Sequence, residues 1–119
     1  MKSFRVLLVD NAPDRKKRIS LLTKNGLVVR PALNLQQARE RCKPGRYDLV
    51  IVNGGRRPDL AVTVCDDIIT NDHEQILLLM VTRDIRVSPR SYLVASKPEI
   101  LLDRVKTLLA QDRRLVFAA

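Results

Sequence analysis

Five short runs of aliphatic residues, each closed by a polar side chain and most separated by stretches of helical periodicity, leave this chain few ways to fold. The first, Arg5-Val6-Leu7-Leu8-Val9-Asp10, is too short for a helix and suits a strand buried on both faces. Asn11-Ala12-Pro13-Asp14 then offers a cap and an early proline, and Arg15 to Asn25 places Ile19 and Leu22 on one side before Gly26. A second strand is expected over Leu27 to Arg30. Asn34 caps the next helix, with Leu35, Ala38 and Cys42 on one stripe, and Lys43-Pro44-Gly45 stops it. Tyr47 to Asn53 reads as the third strand. After Gly54-Gly55-Arg56-Arg57-Pro58, residues 59–70 form a helix with Leu60, Val64 and Ile68 as its stripe. Ile76 to Thr82 and Ser91 to Ser96 are the fourth and fifth strands, and Glu99 to Gln111 is a closing helix with Leu101, Leu102, Val105, Leu108 and Leu109.

Strands alternating with helices need crossovers that bring each strand back parallel, so the expected class is α/β with a doubly wound, five-stranded parallel sheet. At 119 residues a single domain is expected, over residues 1–112, with a C-terminal tail at 113–119 that serves as a docked tail, a dimer contact or a linker. The functional crevice of such a sheet lies at the carboxyl ends of its strands. That rule selects Asp10, Asn53, Thr82 and Lys97.

Composition narrows the function classes. The longest apolar run, Ile76 to Val81, is far too short to span a bilayer, and no secretory signal precedes Asp10, so a cytoplasmic protein without membrane contact is expected. Cys42 and Cys65 fit no ligand spacing, and with the single His they cannot complete a zinc site; free, buried thiols are expected, with no metal and no cofactor. His73, between Asp72 and Glu74, reads as exposed and inert. Asp66-Asp67 lack the partner groups of a catalytic dyad, and neither a nucleophile elbow nor a phosphate-binding loop is present, so enzymatic activity is not expected.

The four strand-end residues carry a resemblance. With Asp10-Asn11, Asn53, Thr82 and Lys97-Pro98 in these places, the chain resembles a response-regulator receiver domain, the CheY-like phosphoacceptor module of bacterial two-component signalling, from about Phe4 to Leu109. The resemblance implies the flavodoxin-like strand order 2-1-3-4-5. In that family the first strand ends in an acidic pair, the third in the phosphorylated Asp, the fourth in Ser or Thr and the fifth in Lys-Pro. Here Asn11 and Asn53 are amides. An amide oxygen is a far poorer nucleophile than a carboxylate, and Mg²⁺ is usually held through carboxylates, so the site has lost its acceptor and most of its metal-binding charge.

Three more departures follow from the resemblance. Arg56, Arg57, Arg83 and Lys97 would gather at the same rim, either as an anion-binding site or as a solvated face. The 14 residues between Thr82 and Lys97 include Val87 and Pro89, so the fourth helix is expected to be shortened or missing, with an irregular loop at 83–90. The family's switching aromatic would fall at Val94. Tyr92, two residues earlier on the same strand face, either takes its place alongside Thr82 or is a half-buried surface residue.

The net charge is +9, and all of the excess sits in residues 1–46, which carry 12 basic and 3 acidic side chains. Arg15, Lys16, Lys17, Arg18, Lys24, Arg30, Arg39, Arg41, Lys43 and Arg46 are expected around one edge of the sheet, as a phosphate-binding patch or a solvated face. The expected function is a phosphorylation-independent, receiver-like (pseudo-receiver) signalling module that binds proteins in a two-component or transcription-regulating pathway, with a homodimer as one arrangement. The alternative is a basic nucleic-acid-associated module that binds weakly and without sequence preference through its N-terminal third.

Overall fold

The computed structural model describes residues 4–55, 58–72, 74–81, 92–95, 102–103 and 105–107. Its elements run β1 (Arg5–Val9), α1 (Arg15–Lys24), β2 (Val28–Ala32), α2 (Leu35–Arg41), β3 (Leu49–Gly55), α3 (Pro58–Asn71), β4 (Leu77–Val81) and β5 (Tyr92–Ala95). The strands pair in parallel in the order β2-β1-β3-β4-β5. Parallel pairing with intervening helices is the α/β class expected from the alternating pattern. Residues 102–103 and 105–107 are helical, within the expected closing helix. The 83–90 segment and the tail at 113–119 lie outside the described residues.

The alternation of a strand divides the apolar residues between two cores. Val6 and Leu8 of β1 face one layer with Leu22, Leu27, Leu49, Ile51, Ile76, Leu78, Met80 and Val105. Leu7 and Val9 face the other with Ala32, Ala38, Val50, Val52, Val64, Cys65, Ile68 and Leu79. One layer therefore carries α1 and the C-terminal helical residues, and the other carries α2 and α3. Burying both faces explains why these strands read as continuous apolar runs.

Local chemistry sets where the helices stop. At the end of α1 the N–H of Gly26 donates to Thr23 O at 3.0 Å and that of Leu27 to Leu22 O at 3.2 Å. This two-bond closure needs a left-handed residue, and Gly26 has φ +87°. Leu27 and Leu22 then join the same core. In α2, Asn34 Oδ1 accepts from Gln37 N at 2.9 Å, and Gln37 Oε1 accepts from Leu33 N at 2.8 Å.

Several boundaries depart from expectation. β2 runs on through Pro31, which an edge strand tolerates because one side of its ladder is unpaired. β3 starts at Leu49 and extends to Gly55, with its register to β4 shifting between Asn53 and Gly55. Cys42 is the C-cap of α2 and still packs with Leu35 against the core that holds Ala38, as the expected stripe has it. On α3 the buried stripe is Ala61, Val64, Cys65 and Ile68, while Leu60 is 54% exposed, so spacing by four alone chose the wrong first residue.

Candidate functional site

β1 delivers Asp10 to the crevice at the strand ends, where its backbone N–H donates to Ala32 O at 2.9 Å. The residue is only 2% exposed. A carboxylate this deeply buried costs several kcal/mol unless it is paired and hydrogen-bonded. The pairing comes from α1. Arg18 Nε donates to Asp10 Oδ2 at 2.5 Å and Arg18 Nη2 to Oδ1 at 3.0 Å, a bidentate fork, and Nη2 also reaches Asp14 Oδ1 at 2.8 Å. The N–H of Ala12 donates to Asp10 Oδ1 at 2.9 Å, and Asn53 Nδ2 donates to the same oxygen at 3.1 Å. An ionised carboxylate only accepts, so Asn53 must turn its NH₂ and not its oxygen toward Asp10. Oδ1 thus accepts from three donors, and Oδ2 from the Arg18 Nε–H.

The charges hold one another. Burial works against the positive charge of Arg18, but the hydrogen bonds and charges of Asp10 and Asp14 outweigh it, leaving the guanidinium more firmly protonated than a free arginine. The hydrogen bond from Arg18 holds the carboxyl of Asp14 below the usual carboxylate range. Asp14 is the outer member of the cluster, with its side chain 54% exposed.

Asp10 and Asn53 are thus brought together as expected, while Asn11 is exposed and stands apart from their hydrogen bonds. Thr82, Lys97, Arg56, Arg57 and Arg83 lie outside the described residues. Tyr92 opens β5 opposite Leu77, and Val94 lies opposite Leu79.

Arg18 corrects the expected basic patch. It is 6% exposed and belongs to the crevice, not to a surface. Its position four residues before fully buried Leu22 was the available signal, since both then share the inner face of α1. The remaining cations divide between the two layers that α1 and α2 cover. Arg39 pairs with Asp67 of α3 at 2.9 and 3.0 Å, and Arg41 Nη1 donates to Pro31 O. Arg15 Nη1 reaches Ala12 O at 3.5 Å, while Arg30, Lys43 and Arg46 are exposed. Lys16, Lys17 and Lys24 stay exposed on α1, around Ser20 and Leu21, in a shallow groove.

Cys42 and Cys65 are free thiols, Cys65 buried and Cys42 half-buried. Burial first, then Asp72 and Asp67, pushes the Cys42 thiol up to about 11; burial, then Asp66, pushes Cys65 up to about 12. Both are protonated and unreactive near neutral pH. No group of His, Cys, Asp and Glu among the described residues could hold a metal ion, and no described helix is long and apolar enough to cross a membrane.

No protein-family model and no curated protein matches the sequence. Solved structures do match the fold. The response regulator TrrA from Thermotoga maritima, in complex with Mg(2+)-BeF, is 23% identical with a TM-score of 0.72, covering 88% of this chain and 98% of its own. The same regulator in complex with the histidine kinase ThkA is 26% identical with a TM-score of 0.69, covering 89% and 98%. A CheY-like receiver domain from Methanospirillum hungatei is 14% identical with a TM-score of 0.73, covering 92% and 95%. The chain therefore has the receiver fold of two-component response regulators, an α/β parallel sheet whose first four strands lie in the order 2-1-3-4.

The fold family implies a Mg²⁺ ion, which needs several hard oxygen ligands in near-octahedral arrangement. The donor set around Asp10 does not fit one. Oδ1 accepts from a guanidinium, a backbone N–H and an amide N–H, Oδ2 lies against the same guanidinium, and the amide that could lend an oxygen presents nitrogen.

Proposed function

We propose that the protein is a phosphorylation-independent, receiver-like signalling module that acts by binding other proteins in a two-component or transcription-regulating pathway. The observation that carries this reading is Asn53. At the C-terminal end of β3, where the fold family places its phosphoacceptor, stands a neutral amide whose N–H is committed to Asp10 at 3.1 Å. An acyl phosphate needs a nucleophilic carboxylate oxygen, which the amide lacks. Signalling would then work by occupancy of a surface, without covalent switching and without catalysis by the chain itself. A structural neighbour in complex with a histidine kinase supports a protein of that pathway as the partner.

The test is incubation with acetyl phosphate and Mg²⁺ followed by intact-mass measurement. The mass is expected to stay unchanged. A phosphate-sized adduct, mapped to Asn53 or to its deamidation product before Gly54, would overturn the reading.

The alternative, a nucleic-acid-associated module, is favoured by one observation: Lys16, Lys17 and Lys24 are exposed together on α1, a helix without acidic residues. Such binding would be electrostatic and strongly salt-dependent.

A further inference from the structure

We propose that Arg18 is the resident cation of the Asp10 crevice, and that this guanidinium, beyond the loss of acidic ligands, keeps divalent metal ions out. The inference deepens the proposed function at the same site, but it rests on the position of Arg18 and not on the chemistry of Asn53.

Three observations carry it. Arg18 Nε and Nη2 lie 2.5 and 3.0 Å from the two oxygens of Asp10, within range of charge-assisted hydrogen bonds that neutralise that carboxylate. The same Nη2 bridges to Asp14 at 2.8 Å, so one positive group serves two carboxylates from adjoining segments. Arg18 is also 6% exposed, so the fork is shielded from water and from mobile salt. An incoming divalent ion would have to lie beside a buried like charge, or expel Arg18 and leave a guanidinium without partners. Both routes are costly in a site of low polarity. Arginine suits the role because its planar fork matches a carboxylate and it stays charged at every physiological pH.

This claim differs from simple decay of a metal site. If lost carboxylates alone abolished metal binding, Asn53→Asp would restore it. If Arg18 holds the place, Asn53→Asp leaves the crevice closed until Arg18 is also removed.

Mn²⁺ binding, read by water-proton relaxation, would be measured for the wild type, Asn53→Asp, Arg18→Met and the double variant, each checked for folding by circular dichroism. The wild type and Asn53→Asp are expected to show no saturable binding, and the double variant to bind at least about tenfold more tightly than Asn53→Asp, as removal of a buried like charge requires. Equal affinity of Asn53→Asp and the double variant would overturn the proposal, as would a folded double variant that binds no Mn²⁺. Should Arg18→Met fail to fold, the wild-type Arg18 Nε–H resonance decides. It is expected to exchange slowly and to stay unmoved by Mg²⁺; a saturable shift or loss of that signal on Mg²⁺ addition would overturn the proposal. A phosphate adduct on the wild type would refute the proposed function without touching these metal-binding results.

Discussion

Asp10 and Arg18 are a costly pair to bury and an expensive one to break, because removing either strands the other's charge in a poorly hydrated crevice. Asp14 is different. More than half of its side chain meets solvent, so its bond to Arg18 is screened and contributes no more than about 1 kcal/mol. Its lowered folded-state pKa fixes the sign of the pH effect. The stabilisation is present above the unfolded value of about 3.9 and is lost as pH falls through the lower folded value. Asp14→Asn is therefore expected to unfold at lower urea concentration than the wild type at pH 7, with the gap closing on acidification and also in molar salt. Parallel urea titrations across pH 2 to 7 would check this. Asp10 and Asn53 were legible from sequence because strand ends announce themselves by a polar residue after an apolar run. Arg18 was not, because a cation within Arg15-Lys16-Lys17-Arg18 looks like its neighbours until the position of Leu22 identifies the inner face.

At the level of elements, the two short helices at the β2 edge depend on their ends more than on their length. α2 has only seven residues, too few to be stable alone, so the bonds from Gln37 N to Asn34 Oδ1 and from Leu33 N to Gln37 Oε1 matter to it. Asn34→Ala is expected to cost about 1 kcal/mol in chemical denaturation, and Asn34→Gly only a few tenths, since glycine also tolerates the cap position. α1 has the opposite character. Its first turn holds no acidic residue, and Arg15, Lys16 and Lys17 oppose the helix dipole while Arg18 is neutralised internally. Gly26 at the end of α1 and the Asn34 cap of α2 were read correctly from sequence, whereas Asp14 at the start of α1 makes no side-chain cap bond and pairs with Arg18 instead. The strand limits were harder, because Pro31 looks like a terminator unless the strand is known to lie at an edge, and β3 outlasts its apolar run through Asn53-Gly54-Gly55. The inner stripe of α3 was missed at Leu60 because a helix advances by less than four residues per turn, so Ala61 and Cys65 rotate inward instead.

Across the whole molecule, the N-terminal excess of positive charge separates into paired and open parts. Arg18, Arg39 and Arg41 spend their guanidinium groups within the chain, while Lys16, Lys17 and Lys24 face solvent without an ion pair among the described residues. Retention on heparin should follow that division. Replacing Lys16, Lys17 and Lys24 by Gln is expected to lower the eluting salt concentration more than replacing Arg39, Arg41 and Lys43. Equal shifts would mean that net charge, not its placement, controls polyanion binding, and any affinity should fall steeply between about 50 and 200 mM salt.

The arrangement at β2 also bears on how copies of the chain could meet. An edge strand invites another chain to extend the sheet, through its row of outward N–H and C=O groups. At position 31 there is no N–H to offer, and the carbonyl already accepts from Arg41. A second copy laid against this edge would lose its ladder halfway along. Fibre-like growth is blunted on this side, and a dimer must be built from helix faces or from the far side of the sheet.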